Sequence, residues 1–419
     1  MTAPHFQSYT KDGRKYTTLG APAGYGPWLF QHLHDPELTQ RLQLMSNAKT
    51  STINGLRVDS VSFQPCPSEE ETSQDRVYSG VCNVDGDPTP WSLVAVFDGH
   101  AGHDCADHAV EKFPEHLRRV LSKRQDRTYL ASAITQAFKT FDEAITRGVL
   151  SVFPSAEALR DIPQDDLKAV INDYNSGGEV YKKIILAMRG TTALTALVDG
   201  PRKNLWVAGI GDCRAILGVK LSNGQWEARD LIPPHNGTNP REMQNVRNAH
   251  PGEPNVTARD RVLGAIAVTR AFGDTTFKLP AEYTHHVFLN ASPGFRVHSS
   301  VTDVAAINHT PPYLTATPDI QHVTLTSEYS STPRFLVMGS DGLVDESVVN
   351  RGYEAAWFQQ LVEYIGAQLD AGKEKDGNLA LFALRQLLGG DNTERVSAYM
   401  TLEAIHRWMD DTSIQVVVF

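Results

Sequence analysis

Short apolar runs bounded by glycine or polar residues recur along the chain, and four of them have an aspartate at one end. The runs span residues 76–84, 92–97, 334–340 and 413–419, and the aspartates are Asp75, Asp98, Asp341 and Asp410. Runs of this length that are rich in Val, Ile and Phe predict β-strands. Asp75 and Asp410 precede their strands, whereas Asp98 and Asp341 follow theirs.

The positions of these aspartates predict one cluster of carboxylates. In an antiparallel sheet a strand ends at the edge where its neighbour begins, so two strand ends and two strand beginnings lie at one rim. Carboxylates gathered there repel one another unless cations neutralise them, and hard oxygen ligands suit Mg²⁺ or Mn²⁺. Aspartate beside a strand is common because it favours turns. However, Gly directly follows both Asp98 and Asp341, where the backbone can bend and offer its carbonyl, so the sequence predicts a site for two metal ions.

Longer stretches with apolar residues every three or four positions predict helices. They cover residues 36–45, 104–122, 128–150, 240–249, 354–371, 379–388 and 394–409. Further apolar runs predict strands at residues 184–188, 192–197, 205–210 and 213–218. Gly211-Asp212, between the last two runs, is typical of a tight hairpin. Because the strands form two clusters and the helices form separate blocks, we expect an α+β fold of layers and not alternating βαβ units.

Composition indicates a sizeable folded protein. The 419 residues are 41% hydrophobic and 21% charged, which is enough to bury a core. The formal net charge of -10, without a basic patch that carries interleaved aromatic residues, argues against a nucleic-acid partner. No apolar run reaches the roughly 18 residues that a membrane-spanning helix needs. The four cysteines show no CxxC spacing, which fits a reducing compartment.

Six sequence blocks occur in the order typical of one enzyme family. They are Asp98-Gly99-His100, Arg189-Gly190-Thr191-Thr192-Ala193, Gly211-Asp212-Cys213-Arg214-Ala215, Thr269-Arg270-Ala271-Phe272-Gly273-Asp274, Asp341-Gly342 and Asp410-Asp411-Thr412-Ser413. On these blocks the chain resembles the metal-dependent Ser/Thr protein phosphatases of the PPM (PP2C) family, from about residue 75 to the C-terminus. The motifs His235-Asn236, Asn239-Pro240-Arg241-Glu242 and residues 310–316 resemble the catalytic subunits of pyruvate dehydrogenase phosphatases in particular.

The resemblance implies a fold and a domain organisation. The fold is a four-layer α/β/β/α sandwich with two central antiparallel sheets. The chain is expected to comprise an N-terminal extension at residues 1–50 and a phosphatase domain at residues 51–419. Within that domain the long segment at residues 275–310 is expected to be a flap that shapes access to the active site.

The resemblance also implies the metal ligands. Asp98 is expected to bridge two ions, with the Gly99 carbonyl on one of them and Asp75 bound directly or through water. Asp341 and Asp410 are expected to complete the shell of the second ion. Two ions about 4 Å apart activate water and neutralise phosphoryl charge, so a hydroxide that bridges them is expected to attack the phosphoester directly.

His100 is the candidate proton donor to the departing Ser or Thr oxygen, because imidazole titrates near neutral pH. A lone histidine would more often only hydrogen-bond a nearby carboxylate, but within this motif the acid role is favoured. A zinc face built from His100, His103 and His108 is the weakest alternative, since their spacing lacks the HxH or HExxH pattern of zinc hydrolases.

Three positions depart from the family pattern. Gln74 stands where Glu is common; its side-chain carbonyl can coordinate a metal but brings no charge, so metal affinity is expected to be lower. Ala187 stands where many relatives carry an Asp for a third metal, so a third ion near Asp345 is expected to bind weakly. Asp410-Asp411 replaces the commoner Asp-Asn pair, and it is preferred over Asp391-Asn392 because a strand follows it.

The arginine that binds the phosphate is not evident in the sequence. Many relatives have an Arg shortly before the first acidic motif, where this chain has acidic or small residues, so Arg76 and Arg57 are the candidates. Asp212 and Asp274 also lie in family blocks, and both are expected to stabilise turns and not to bind metal.

These observations predict a Mg²⁺- or Mn²⁺-dependent phosphatase of phosphoserine and phosphothreonine in proteins. The resemblance implies the phosphorylated E1 subunit of pyruvate dehydrogenase as substrate, the mitochondrial matrix as location and, as an open point, a regulatory subunit. Residues 1–50 mix basic with acidic side chains and are a poor transit peptide, and otherwise a cytoplasmic location is expected. The alternative is a pseudophosphatase that binds phosphoproteins or scaffolds a complex, which only Gln74 and Ala187 favour.

Overall fold

Two antiparallel sheets form the centre of the protein. The computed structural model describes residues 6–20, 26–66, 72–122, 129–295, 298–326, 331–345, 352–373, 377–404 and 406–419. The first sheet has the order β17 (Asp319–Thr324), β11 (Asn204–Ile210), β10 (Ala193–Val198), β7 (Trp91–Phe97) and β6 (Arg76–Cys82). The second has the order β13 (Trp226–Asp230), β12 (Arg214–Leu221), β18 (Ser331–Gly339), β19 (Thr412–Val418), β5 (Leu56–Phe63) and β4 (Lys49–Ile53).

Short strands and helices surround these sheets. The short strands are β1 (Ser8–Lys11), β2 (Arg14–Thr17), β3 (Trp28–Phe30), β8 (Gly99–His100), β9 (Gly190–Thr191), β14 (Thr257–Ala258), β15 (Arg261–Val262) and β16 (Phe272–Gly273). The α-helices in the described residues are α1 (Glu37–Met45), α2 (Asp104–Ser122), α3 (Leu130–Leu150), α4 (Gln164–Ile171), α5 (Glu179–Met188), α6 (Pro240–Ala249), α7 (Ala281–His286), α8 (His298–Ile307), α9 (Glu354–Asp370), α10 (Leu379–Leu388) and α11 (Thr393–Thr401).

The packing is that of a four-layer sandwich. Helices α2, α3 and α5 cover the outer face of the first sheet, with Phe113 and Phe138 fully buried against it. Helices α1, α9, α10 and α11 cover the outer face of the second sheet, where Leu42 and Leu361 are buried. The predicted α/β/β/α architecture is therefore confirmed.

Strand β7 shows why its sequence is apolar without interruption. Successive side chains of a strand point to opposite faces. Val94 and Val96 lie in the core between the two sheets, whereas Leu93 and Ala95 lie in the core beneath the helices. Both faces of β7 are buried away from water, so both carry apolar residues.

Several predicted elements differ from the structure. Residues 184–188 belong to α5 and are not a strand, because a short buried apolar run fits either element. Strands β11 and β12 lie in different sheets, so Gly211-Asp212 is a crossover and not a hairpin. The helix predicted at residues 394–409 ends at Thr401, and the segment 275–310 contains α7 and α8. Residue 128, the predicted start of the third helix, lies outside the described residues.

Residues near the N-terminus contribute to the sandwich. Helix α1 buries Leu38 and Leu42 beside the second sheet, and β4 pairs with β5 at the edge of that sheet. The Asp391-Asn392 pair also has a structural role, since the Asn392 side chain accepts a hydrogen bond from the Arg395 amide at the start of α11. Among the helices that the structure describes, we find none with the length and apolar character needed to cross a bilayer.

Leu336 tests the core between the sheets. It lies in β18 with none of its surface exposed. Leu336→Ala removes buried methyl groups and leaves a cavity, so we expect the free energy of unfolding to fall by about 2–5 kcal/mol. Leu44→Ala is the matched control, because Leu44 is 81% exposed on α1. Urea denaturation measures both variants, and equal stabilities would contradict the assigned core.

Candidate functional site

Strand pairing brings the predicted aspartates to one rim of the sandwich. Arg76 pairs with Phe97 in the first sheet, which places Asp75 beside Asp98. Gly339 pairs with Ile414 in the second sheet, which places the segment before β19 beside Asp341. The backbone amide of Asp341 in turn donates to Oδ2 of Asp98 at 3.4 Å, across the two sheets.

A fifth aspartate joins this group. Asp98, Asp212 and Asp341 each present a carboxylate oxygen, and these three oxygens lie within 4.8 Å of one another. Asp212 lies in the crossover between β11 and β12, and Asn236 donates to its Oδ2 at 2.8 Å. The sequence predicts that Asp212 stabilises a turn and binds no metal, and its position in this group makes it a further candidate ligand. The signal was present in the sequence, since Asp212 also ends an apolar run and has a neighbouring Gly.

Asp75 is the most deeply buried carboxylate of the group. It is 3% exposed, and among the described residues neither of its side-chain oxygens has a partner with hydrogen-bond geometry. Burial and the nearby Asp411 carboxylate raise the pKa of Asp75 to about 7, although the Ser340 and Ser413 hydroxyls partly oppose this rise. A buried carboxylate with unsatisfied oxygens is typical of a group that needs a cation.

Burial and neighbouring carboxylates also raise the pKa values of Asp98 and Asp341. Burial, first, and then the Asp341 and Asp75 charges raise the pKa of Asp98 well above its usual value. Burial and the charges of Asp212 and Asp410 do the same for Asp341. The ligand atoms available here are carboxylate oxygens that lie close together and repel one another. Such a set suits one or more hard divalent ions such as Mg²⁺ or Mn²⁺.

The segment before β19 adds an aspartate pair held by an arginine. Nη2 of Arg407 lies 2.9 Å from Oδ1 of Asp410 and 2.7 Å from Oδ1 of Asp411. Asp411 also accepts a hydrogen bond from the Gln74 amide at 2.8 Å, which ties this segment to the start of β6. Burial raises the pKa of Asp410, and the Arg407 charge offsets part of the rise.

Gly99 and Gln74 fix the turn after β7. A Cβ at residue 99 would lie 2.6 Å from the Gln74 carbonyl oxygen, so only glycine fits this close approach. The Gln74 side-chain oxygen accepts a hydrogen bond from the Gly102 amide at 2.7 Å. In this arrangement Gln74 organises the loop that carries Asp98, Gly99 and His100.

His100 forms an ion pair with Asp274. Its Nε2 lies 2.6 Å from Oδ2 of Asp274. Burial lowers the pKa of His100, but the Asp274 and Asp212 carboxylates outweigh burial, and the pKa is raised. A Cβ at Gly190 would overlap both partners, so this pair also depends on a glycine. Asp274, which the sequence predicts to stabilise a turn and not to bind metal, is also the hydrogen-bond partner of this histidine.

The histidines of the zinc alternative do not converge. Nδ1 of His103 lies 2.7 Å from Asp107 on the exposed side of α2, and His108 stacks on Phe141 with ring centroids 5.4 Å apart. The group of candidate metal ligands found among the described residues contains aspartates alone.

The two arginines predicted to bind phosphate lie elsewhere. Arg57 forms an ion pair with Asp59 and is the strand partner of Val418. Thr412 lies at the other end of β19, so at about 3.3 Å per residue Val418 and Thr412 are roughly 20 Å apart. Arg76 forms an ion pair with Asp107 and donates to the carbonyls of Ser73 and Asp75. Neither lines the cavity that contains the aspartates, so the structure does not bring these two arginines into the candidate site.

A cavity of about 480 Å³ opens over the cluster. Its polar lining includes Asp98, Asp212, Asp341, Asp410 and His100. Its arginines, among the described residues, are Arg261 and Arg407. Sequence reasoning missed both, because they are distant in the chain from the first acidic motif.

The predicted third metal position has different surroundings from those expected. Ala187 is fully buried in the apolar core beneath the first sheet. Asp345 accepts a hydrogen bond from the Asp410 amide at 2.8 Å and lines an adjacent cavity together with Asp212, Asp341 and Asp410.

Comparison with known proteins agrees with this geometry. The family model for protein phosphatase 2C matches residues 62–350. A protein phosphatase 2C homologue of Schizosaccharomyces pombe is 27% identical over 412 residues, covering 91% of this chain and 84% of the yeast protein. The human mitochondrial pyruvate dehydrogenase phosphatase 2 is 28% identical over 396 residues, covering 78% of this chain and 72% of the human protein.

Solved structures share the fold. Serine-threonine phosphatase 2C of Toxoplasma gondii has a TM-score of 0.50 at 16% identity, covering 89% of this chain and 99% of that one. A sex-determining protein of C. elegans has a TM-score of 0.50 at 20% identity, and the match covers 87% of this chain. The same match covers 64% of the nematode protein, which is less than two thirds of its length. Because the family model matches more than half of the 419 residues, the chain belongs to the protein phosphatase 2C family.

Proposed function

We propose that this protein is a Mg²⁺- or Mn²⁺-dependent phosphatase that hydrolyses phosphoserine and phosphothreonine in proteins. The observation that carries the proposal is the meeting of Asp98, Asp212 and Asp341 within 4.8 Å in a cavity that also contains the His100–Asp274 pair. Family membership supports the same reaction.

The carboxylates are the residues that would hold the ions. Asp98 and Asp341 occupy the centre of the group, with the Gly99 carbonyl, Asp75 and Asp410 as the further predicted ligands and Asp212 as the addition from the structure. Bound divalent ions would supply activation of the attacking water and neutralisation of the phosphoryl charge. The protein's own contribution is to fix these oxygens by strand register before any ion binds.

His100 is placed to supply the leaving group with a proton. In the reaction a water oxygen loses a proton to solvent and forms a new bond to phosphorus. The bond from phosphorus to the Ser or Thr oxygen breaks, and that oxygen must be protonated. Asp274 engages Nε2 of His100, so Nδ1 is the ring atom that can carry the proton to the substrate. The Asp274 charge favours the protonated imidazole, which is the form that a general acid requires.

Pyruvate dehydrogenase is the substrate that the relatives suggest. Human pyruvate dehydrogenase phosphatase 2 is 28% identical to this chain, and the human phosphatase 1 has the same identity. We therefore propose the phosphorylated E1 subunit as substrate and the mitochondrial matrix as location. A regulatory subunit stays a prediction.

The pseudophosphatase alternative predicts binding without hydrolysis. Gln74 favours it, because the residue brings no charge to the cluster. Five acidic side chains and the His100–Asp274 pair weigh against it, since they retain both the cation site and the proton donor.

Metal removal tests the carboxylate cluster without relying on activity. After treatment with EDTA, adding Mg²⁺ or Mn²⁺ at about a hundredfold excess over its dissociation constant should stabilise the fold by about 2.7 kcal/mol, measured by thermal unfolding. Asp98→Asn should make the metal-free protein more stable, because it removes repulsion, and should abolish the shift. Asp166→Asn, an exposed carboxylate on α4, should leave the shift intact. A full shift in Asp98→Asn, or a shift with Zn²⁺ alone, would exclude the assigned site.

Leaving-group dependence tests His100. A serine alkoxide needs a proton to depart, whereas p-nitrophenolate leaves readily as an anion. His100→Gln should therefore lower kcat on a phosphoserine peptide by about 10²–10⁴-fold and much less on p-nitrophenyl phosphate. His103→Gln is the control, because that side chain is exposed and pairs with Asp107. Equal losses on both substrates would show that His100 is not the acid.

Substrate comparison tests the proposed target. We expect kcat/KM on phosphorylated pyruvate dehydrogenase E1 to exceed that on an unrelated phosphoserine peptide by at least about tenfold, equivalent to 1.4 kcal/mol of transition-state binding. Similar values would leave the phosphatase proposal intact and reject this substrate. Binding of phosphorylated E1 with no phosphate release would favour the pseudophosphatase.

A further inference from the structure

The cavity over the aspartates has two unlike walls. One wall is acidic and carries the carboxylates and His100. The other wall is apolar, and its side chains are Ile266, Val268, Phe277, Phe295, Val301 and Val304. We call these six residues the apolar wall. The cavity volume of about 480 Å³ lies within the range of about 300–1,000 Å³ typical of ligand sites.

A small core, separate from those of the sandwich, supports part of the apolar wall. Val262, Leu263, Val304, Tyr313 and Leu314 are buried together, apart from the three cores of the sandwich. Ile266 and Phe277 pack against this cluster while remaining only partly buried. Phe295 packs instead against the core beneath the first sheet. These four side chains of the wall are therefore packed and not loose.

The exposed part of the wall has no role in the chemistry already proposed. Ile266, Phe295 and Val301 are partly exposed and line the cavity. A phosphate group requires cations and hydrogen-bond donors, which these side chains cannot provide. Apolar side chains that share a cavity with a reaction centre gain energy only by covering an apolar part of the substrate.

We propose that the apolar wall is a subsite for an aliphatic or aromatic side chain next to the phosphorylated residue of the substrate protein. This inference rests on the proposed phosphatase function. A phosphoserine bound at the carboxylates would place its chain neighbours in the same cavity. An acidic neighbour would face both an apolar surface and the repulsion of the aspartates, so acidic sequences should be poor substrates.

Arg261, which lines the same cavity beside the apolar wall, provides the competing possibility. It is exposed, lines the cavity and donates to the Ala265 carbonyl at 2.8 Å. If its charge governed recognition, a glutamate beside the phosphoserine would be preferred. Arg407, the other arginine of the described cavity lining, is paired with Asp410 and Asp411. The apolar wall is more extensive than Arg261, so we expect the apolar neighbour to be preferred.

A peptide series tests the subsite. Phosphoserine peptides that differ only in one neighbour, Leu, Phe, Gly, Ser or Glu, are compared by kcat/KM, with the variable residue placed on either side. A hydrophobic pocket typically discriminates by about 10–200-fold, so we expect Leu or Phe to exceed Ser and Glu by at least about tenfold on one side. Preference for Glu, or no preference, would overturn the proposal.

Substitutions in the wall locate the effect. The double variant Ile266→Ser and Val301→Ser should lower kcat/KM on the Leu peptide and so reduce the preference for Leu over Ser to near unity. Val170→Ser is the matched control, since Val170 is 44% exposed on α4. Persistence of the preference in the double variant would contradict the assigned wall.

Binding measurements separate this inference from the phosphatase proposal. If no peptide is hydrolysed, the phosphatase function fails, yet calorimetry of the Leu and Ser peptides with the wild-type protein still tests the subsite. Tighter binding of the Leu peptide, lost in the double variant, would support it. Equal affinities would refute it.

Discussion

Electrostatic repulsion among buried carboxylates is the constraint around which this protein is organised. Asp75, Asp98 and Asp341 all have raised pKa values, because burial and neighbouring negative charges disfavour their ionised forms. A flexible loop would relieve the repulsion by moving apart. Here the aspartates adjoin strands whose pairing and inner core fix their positions, so the repulsion persists until a cation relieves it.

Two glycines allow the functional groups to approach one another within this rigid frame. Gly99 lets the turn after β7 pass close to the Gln74 carbonyl, and Gly190 lies against the His100–Asp274 pair. Neither position has space for a Cβ. The geometry of the candidate site thus depends on backbone contacts as much as on the acidic side chains, which explains why the glycines occur within the same sequence blocks as those side chains.

Sequence patterns predicted the elements that are regular and missed those that depend on tertiary context. The strands that carry Asp98 and Asp341 were evident, because alternate side chains fill two separate cores and make each run apolar. Residues 184–188 were misassigned, since a buried helix end has the same composition. The contacts of Asp212 and Asp274 were not predicted. Nothing in a single sequence shows that the Gly211-Asp212 turn crosses between sheets, or that Asp274 lies beside His100. Arg57 was a poor candidate for a similar reason. The sequence alone does not show which end of strand β5 lies near the aspartates.

Chemistry and recognition have separate structural supports in this molecule. The acidic wall of the cavity is fixed by the two sheets, whereas Ile266, Phe277 and Val304 of the apolar wall pack with Val262, Leu263, Tyr313 and Leu314. These residues belong to none of the cores that set strand register. A change at Ile266, Phe277 or Val304 is therefore expected to alter which side chain fits beside the phosphate without moving the carboxylates, since mutations that share no partners act almost independently. Substrate preference can vary on such a scaffold while the reaction stays the same.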